Sequence, residues 1–156
     1  DYETLYEYGE KGNKLRMVRI KSGEIIQYTA FENDPSNLII KDVVYKGRGQ
    51  DALWLTSDDE IEKYHLFWYD NGKIARIAEY RADHSGRGMD NLWFSPDDQI
   101  FATKEFSYCE DGYMSKIKKC IGPGSDKLWF TKDDIVQYYT VYNYASHPKH
   151  NLKKGT

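Results

Sequence analysis

Nine aspartates, set out as three groups of three, are the residues in this chain best suited to chemistry. Asp51 stands seven residues before the pair Asp58 and Asp59. Asp90 keeps the same distance from Asp97 and Asp98, and Asp126 from Asp133 and Asp134. Each group lies in one recurring phrase, G-(R/P)-G-x-D-x-L-W-(L/F)-(T/S)-x-D-D, which spans residues 47–59, 86–98 and 122–134. Calcium and other hard cations take about six to eight oxygens from carboxylates and backbone carbonyls. A glycine-rich loop closed by two acidic residues, with a hydroxyl from Thr56, Ser95 or Thr131, can supply them. A second chemistry competes for the same residues. Asp, Ser and Thr cap their own turns by accepting backbone N–H bonds, and glycine permits positive φ. The first reading makes all nine aspartates calcium ligands, and the second makes them turn caps.

Catalysis finds less support. Carboxylate pairs can act as acid and base, but a pair written three times into a structural phrase points to scaffold. No G-x-S-x-G or H-E-x-x-H motif occurs, and the Gly-Arg-Gly pieces lack the Lys-Ser/Thr ending of a phosphate loop. The expectation is a non-enzyme. His65 aligns with Lys104 and Thr140 in the sister repeats and reads as an exposed strand residue. His147 and His150 flank Pro148 in a polar tail, residues 145–156, that is expected to fray. Cys109 and Cys120 would lie on the order of 16 Å apart along a hairpin, too far for a disulfide. Cys120 takes the place of Tyr80 and reads as a buried thiol.

The elements that carry these loops follow from the repeat. Trp93 follows Trp54 by 39 residues, and Trp129 follows Trp93 by 36. Periods of that size mean one supersecondary unit stacked on its neighbours. Residues 57–68, met alone, offer a capping box and apolar positions at helical spacing. The aligned stretch 135–144 is rich in β-branched and aromatic residues with no helical stripe, so strand is expected in all three copies. Asp70-Asn71-Gly72 and Glu110-Asp111-Gly112 then mark hairpin turns. In the return segment Ile74, Ile77 and Tyr80 fall three apart, which predicts a bulge or strong twist. Residues 6–20 read as a partial unit of the same kind. Residues 21–46 read as an extra hairpin or two around Ser22-Gly23 and Asn33 to Ser36.

The expected architecture is all-β, with tandem stacked hairpins forming a twisted meander or curved antiparallel sheet. One domain covers residues 1–156, with an atypical unit at 1–46 and repeats at 47–85, 86–121 and an incomplete 122–156. The Leu-Trp pair of each loop is expected in the core, since large aromatics dominate β cores. Arg16, Arg76 and Lys116 each stand four residues after a turn glycine and form a basic column, expected to be a solvated face with surface ion pairs.

Composition sets bounds on function. The chain has 156 residues, 14 tyrosines, 4 tryptophans and a net charge of −3. Its pI is near 5.8 and its mean hydropathy −0.79. A nucleic-acid binder would show a basic footprint, which is missing. No apolar run approaches the length of a helical membrane span. A chain beginning at Asp1 is expected to have lost a leader. Open sheet edges favour an edge-strand dimer or strand addition to a partner.

Residues 69–80, Tyr-Asp-Asn-Gly-Lys-Ile-Ala-Arg-Ile-Ala-Glu-Tyr, resemble the tyrosine-aspartate (YD, or RHS-type) repeats of bacterial surface and toxin-associated proteins. The phrase G-x-G-x-D-x-L also resembles part of the calcium-binding nonapeptide of β-roll proteins, although those units recur every nine residues. The first resemblance implies a hairpin scaffold that is exported, periplasmic or lipoprotein-anchored. The function expected from all of this is a non-enzymatic binding or scaffold protein, calcium-stabilised, with a Tyr/Trp-rich surface for a protein or glycan. A toxin-neutralising immunity protein is the alternative, and a hydrolase using the aspartate pairs the second alternative.

Overall fold

Hairpin follows hairpin along the described residues. The computed structural model describes residues 1–84 and 86–143. Its strands are β1 (Tyr2–Tyr8), β2 (Lys14–Lys21), β3 (Glu24–Asn33), β4 (Ile39–Gly47), β5 (Glu60–Asp70), β6 (Lys73–Arg81), β7 (Ala102–Tyr108), β8 (Met114–Gly122) and β9 (Ile135–Val141). They form one open antiparallel sheet whose spatial order is the sequence order. A short 3-10 turn at Ala82–His84 follows β6. Among the described residues no helix is long and apolar enough to cross a membrane. Tyr144, the polar tail and its two histidines, His147 and His150, lie outside the described residues.

Strand replaces the helix that residues 57–68 suggest in isolation. Tyr64 and Leu66 turn to one face of β5 and His65 and Phe67 to the other, the period-2 geometry of a strand. The turn at Asn71 and Gly72 puts both residues at positive φ, 48° and 73°, as the tight two-residue hairpin demands. The expected bulge is real and recurs. Trp68 pairs with Arg76 and Tyr69 with Ile74, so Ala75 is extruded. Ser115 and Leu15 are extruded in the same way from β8 and β2. A tyrosine then ties each hairpin to the one before. Tyr69 donates its hydroxyl to the Ile39 carbonyl and Tyr108 to that of Ile74, each at 2.8 Å.

The core lies on the face where the loops fold back. Val43, Tyr64, Ala78 and Tyr80 form its buried centre, and Trp93, Ile100 and Phe130 pack against it. Tyrosine bodies here replace the aliphatic mass that a single-layer sheet lacks. Cys109 is exposed and Cys120 buried, and both are free thiols.

The basic column behaves differently from expectation. Arg16 does pair with Glu7, at 3.1 Å. Arg76 and Lys116 instead lie over the rings of Phe130 and Tyr139, at 5.1 and 3.9 Å from the centroids. A cation over a ring face is attracted by the ring quadrupole.

Candidate functional site

Each aspartate loop folds back over the hairpin that precedes it, and its three carboxylates do three different jobs. The leading aspartate makes an Asx turn: Asp51, Asp90 and Asp126 accept the N–H of Leu53, Leu92 and Leu128, each at 2.8 Å. The first aspartate of the pair closes the loop. Asp58, Asp97 and Asp133 each accept the N–H of the leading aspartate at 3.1 Å and a hydroxyl from Thr56, Ser95 or Thr131 at 2.6 to 2.8 Å. These hydroxyl bonds, with the backbone N–H groups behind them, hold Asp58 and Asp97 below the usual carboxylate range. In Asp133 the Ser125 hydroxyl is the largest cause of the same downward shift.

The second aspartate of the pair points inward. Asp59 and Asp134 are buried, 6% and 4% exposed. Asp59, Asp98 and Asp134 accept the N–H of Leu55, Phe94 and Phe130 at 2.7 to 2.9 Å. That bond fixes a residue at positive φ: Leu55 at 70°, Phe94 at 64° and Phe130 at 66°. Such conformations cost bulky residues energy and persist only when the surroundings over-determine them. The structure thus brings together every aspartate of each group, and backbone N–H groups take up one oxygen of each.

Beneath the loops stand stacked tyrosine pairs that the sequence pattern did not disclose. Tyr28 and Tyr45, cross-strand neighbours on β3 and β4, have ring centroids 4.3 Å apart, and Trp54 of the first loop meets Tyr28 edge-on. Tyr64 and Tyr80 repeat the arrangement at 4.3 Å, with Trp93 and Phe94 edge-on to Tyr64. Tyr64 donates its hydroxyl to Asp98 at 2.7 Å. Burial and then this bond push the Tyr64 phenol far above its ordinary range. Aligned repeats carry tyrosine here twice, but only strand register shows that the two rings of a pair face each other.

The Leu-Trp pair divides. Trp54, Trp93 and Trp129 are half-buried, whereas Leu53, Leu92 and Leu128 are exposed. The expectation that both belong to the core is corrected for the leucines, because the Asx turn directs successive side chains to opposite sides.

The far face of the sheet holds a second polar site. His65, expected to be exposed, is half-buried: its Nδ1 lies 2.6 Å from Asp42 Oδ1 and its Nε2 lies 3.7 Å from Glu79 Oε2. The three residues come from β4, β5 and β6 and line a cavity of about 190 Å³ with Phe67, Ile77 and Lys104. Burial works against the imidazolium, but Asp42 and Glu79 outweigh it and raise His65 to about 9. In an unfolded chain His titrates near ~6.5. The ion pair therefore stabilises the fold fully below that value and is lost as the pH rises through about 9. The melting temperature should fall between pH 7 and 9, and His65→Gln should flatten that slope. An unchanged slope in His65→Gln would remove the ion pair from the account.

No family model matches the chain. No curated protein matches it either. A protein of unknown function from Bacteroides fragilis NCTC 9343 has a similar structure, with a TM-score of 0.58 at 7% identity over 90% of this chain and 92% of that one. At that identity the likeness is one of fold. A TcdB2-TccC3-TEV structure gives a TM-score of 0.33 at 10% identity over 92% of this chain and 6% of that one, too low to bear on the fold. The class defined by fold and loops is an open antiparallel meander of repeated hairpins, three of them capped by a Gly/Asp/Trp loop.

Proposed function

We propose that this chain is a non-enzymatic β-repeat binding protein of the bacterial envelope or exterior, and that it docks a protein on its row of loops. One observation carries the reading. Leu53, Leu92 and Leu128 are 62%, 64% and 63% exposed, the same position presented three times to the same degree. Successive hairpins sit on the order of 10 Å apart, so the leucines form a ladder at that spacing. Repeated apolar exposure marks interaction surfaces. A protein suits the ladder better than a glycan, because aliphatic side chains lead it while the Trp54 and Trp93 rings turn toward the tyrosines. The triple variant Leu53/Leu92/Leu128→Ser should keep its circular dichroism and melting temperature, since these side chains support no core. It should lose the partner that the parent chain retains in pull-down. Equal retention by the variant would move the binding surface elsewhere.

A second reading, calcium in the loops, rests on a shortage of protons. Ser95 Oγ lies 3.3, 2.6 and 3.2 Å from carboxylate oxygens of Asp90, Asp97 and Asp98. One hydroxyl has one proton for three acceptors. A cation would satisfy the remainder. Under this reading, calcium at about 100 times its dissociation constant adds about 2.7 kcal/mol to stability. Melting in millimolar calcium against chelator reads it, with Asp58/Asp97/Asp133→Asn alongside. A calcium-dependent rise that the variant loses makes the loops metal sites. No rise leaves them as hydrogen-bonded turns.

A further inference from the structure

The third loop covers a different floor from the other two. Register places Thr103 opposite Cys120 where Tyr28 meets Tyr45 and Tyr64 meets Tyr80. One step along the same face, Glu105 pairs with Lys118 where the other hairpins pair Ala30 with Val43 and Leu66 with Ala78. Two stacked rings and an apolar pair have become a thiol, a hydroxyl, a carboxylate and an amine. Asp134 descends onto them from the loop. Ligand atoms of Glu105, Cys120 and Asp134 lie within 4.8 Å of one another. Cys120 is fully buried and Asp134 is 4% exposed.

An independent feature points into the same space. Thr103 is 1% exposed, and its Oγ1 is buried without a hydrogen-bond partner. It stands directly across the β7–β8 pair from Cys120. An orphaned hydroxyl is costly in a protein interior. It becomes a satisfied donor once the neighbouring sulfur is a thiolate.

We propose that this pocket binds one thiophilic divalent cation of the zinc class through Cys120 Sγ and one carboxylate oxygen each from Glu105 and Asp134. Zinc takes thiolate at about 2.3 Å and carboxylate at about 2.0–2.2 Å in tetrahedral sites. Small side-chain rotations close the present spacing to that geometry. Cys120 releases its thiol proton to solvent as the sulfur–metal bond forms, and the Thr103 hydroxyl donates to the new thiolate as an outer support. Lys118 now holds Glu105 at 2.9 Å. Its side chain is 18% exposed, so it swings to water when the cation arrives. The two carboxylates, the thiolate, the ammonium and the dication then sum to neutrality. A sulfur ligand separates this site from the all-oxygen calcium chemistry of the loops.

Cadmium chloride titrated into the Cys109→Ser chain, which removes the exposed thiol, is the test. A thiolate-to-cadmium charge-transfer band should grow and saturate at one ion per chain, release one proton, yield to zinc and ignore excess calcium. Cys120→Ser should abolish the band. Glu105→Gln should weaken binding at least tenfold, and Lys118→Met should tighten it by removing the competing cation. Should Cys120→Ser fail to fold, the Glu105 and Lys118 variants still decide. No saturable band overturns the proposal. A band indifferent to both Glu105→Gln and Lys118→Met also overturns it, since the sulfur would then act without the pocket.

Discussion

Tyr64→Ala should unfold the centre of the sheet, or leave it so weakened that its melt begins near room temperature. Tyr64 is 3% exposed and joins four things at once: the Tyr80 ring, Trp93, Phe94 and the Asp98 carboxylate. Truncating a buried aromatic costs about 3–5 kcal/mol through lost transfer energy and the cavity left behind. The total stability of a domain is about 5–15 kcal/mol. The loop above would also lose its floor, because Trp93 and Phe94 meet the same ring. Tyr64→Phe keeps the ring and removes only the hydroxyl, so it should cost about 1.5–3 kcal/mol, the worth of a hydrogen bond to a charged group. Urea denaturation of the two variants separates packing from hydrogen bonding. Equal losses from both would mean that the ring stack contributes little and that the Asp98 bond alone holds the loop.

Gly88→Ala should cost at least about 2–3 kcal/mol, out of proportion to one added methyl group. Gly88 has φ of 61°, a region that costs an L-residue about 1–2 kcal/mol. A Cβ there would also overlap the carbonyl oxygen and the carboxylate of Asp97. The carbonyl belongs to the backbone and cannot swing aside, and the carboxylate is held by the N–H groups of Met89 and Asp90. Gly124 stands in the same relation to Asp133. Gly72 supplies the control. It has φ of 73°, yet a Cβ there would meet nothing within 4 Å. Gly72→Ala should therefore cost only the conformational share, about 1–2 kcal/mol. Matching denaturation midpoints for the two alanine variants would show that the loop yields, and that its clamp is softer than its geometry implies.

These two expectations also mark where sequence reading ends. The second glycine of each phrase is visible as a recurring spacing within the chain's own repeats, and positive φ holds for Gly88 and Gly124 but not for Gly49. That Asp97 presses on Gly88 is visible only in three dimensions. The same holds for the paired aspartates. Their adjacency suggested a shared role, but backbone alternation sends Asp58 outward to close the loop and Asp59 inward to the core. Asp90 and Asp97 could be placed near each other from spacing alone, since the loop between them is short. The bond from Tyr64 to Asp98 spans 34 residues and depends on which hairpin the loop covers. The burial of His65 is hidden from the sequence for a related reason. Its sister positions are Lys104 and Thr140, so alignment gave no hint of burial. Asp42 and Glu79 reach it because β4 and β6 flank β5 in one register.

By itself, the sequence determined the period, the hairpins, the bulge in each return strand and the location of the acidic loops. Those features rest on local chemistry: glycine and asparagine at positive φ, β-branched and aromatic runs, and aspartates capping turns within a few residues. Tertiary structure alone decided that the loops fold back over the preceding hairpin and that tyrosines stack in pairs beneath the first two. It also decided that the leucines face water while the tryptophans do not, and that the third floor is polar. Periodicity reports which side chains share a face. What covers that face depends on register and on the direction in which each loop closes, and packing across the whole sheet sets both.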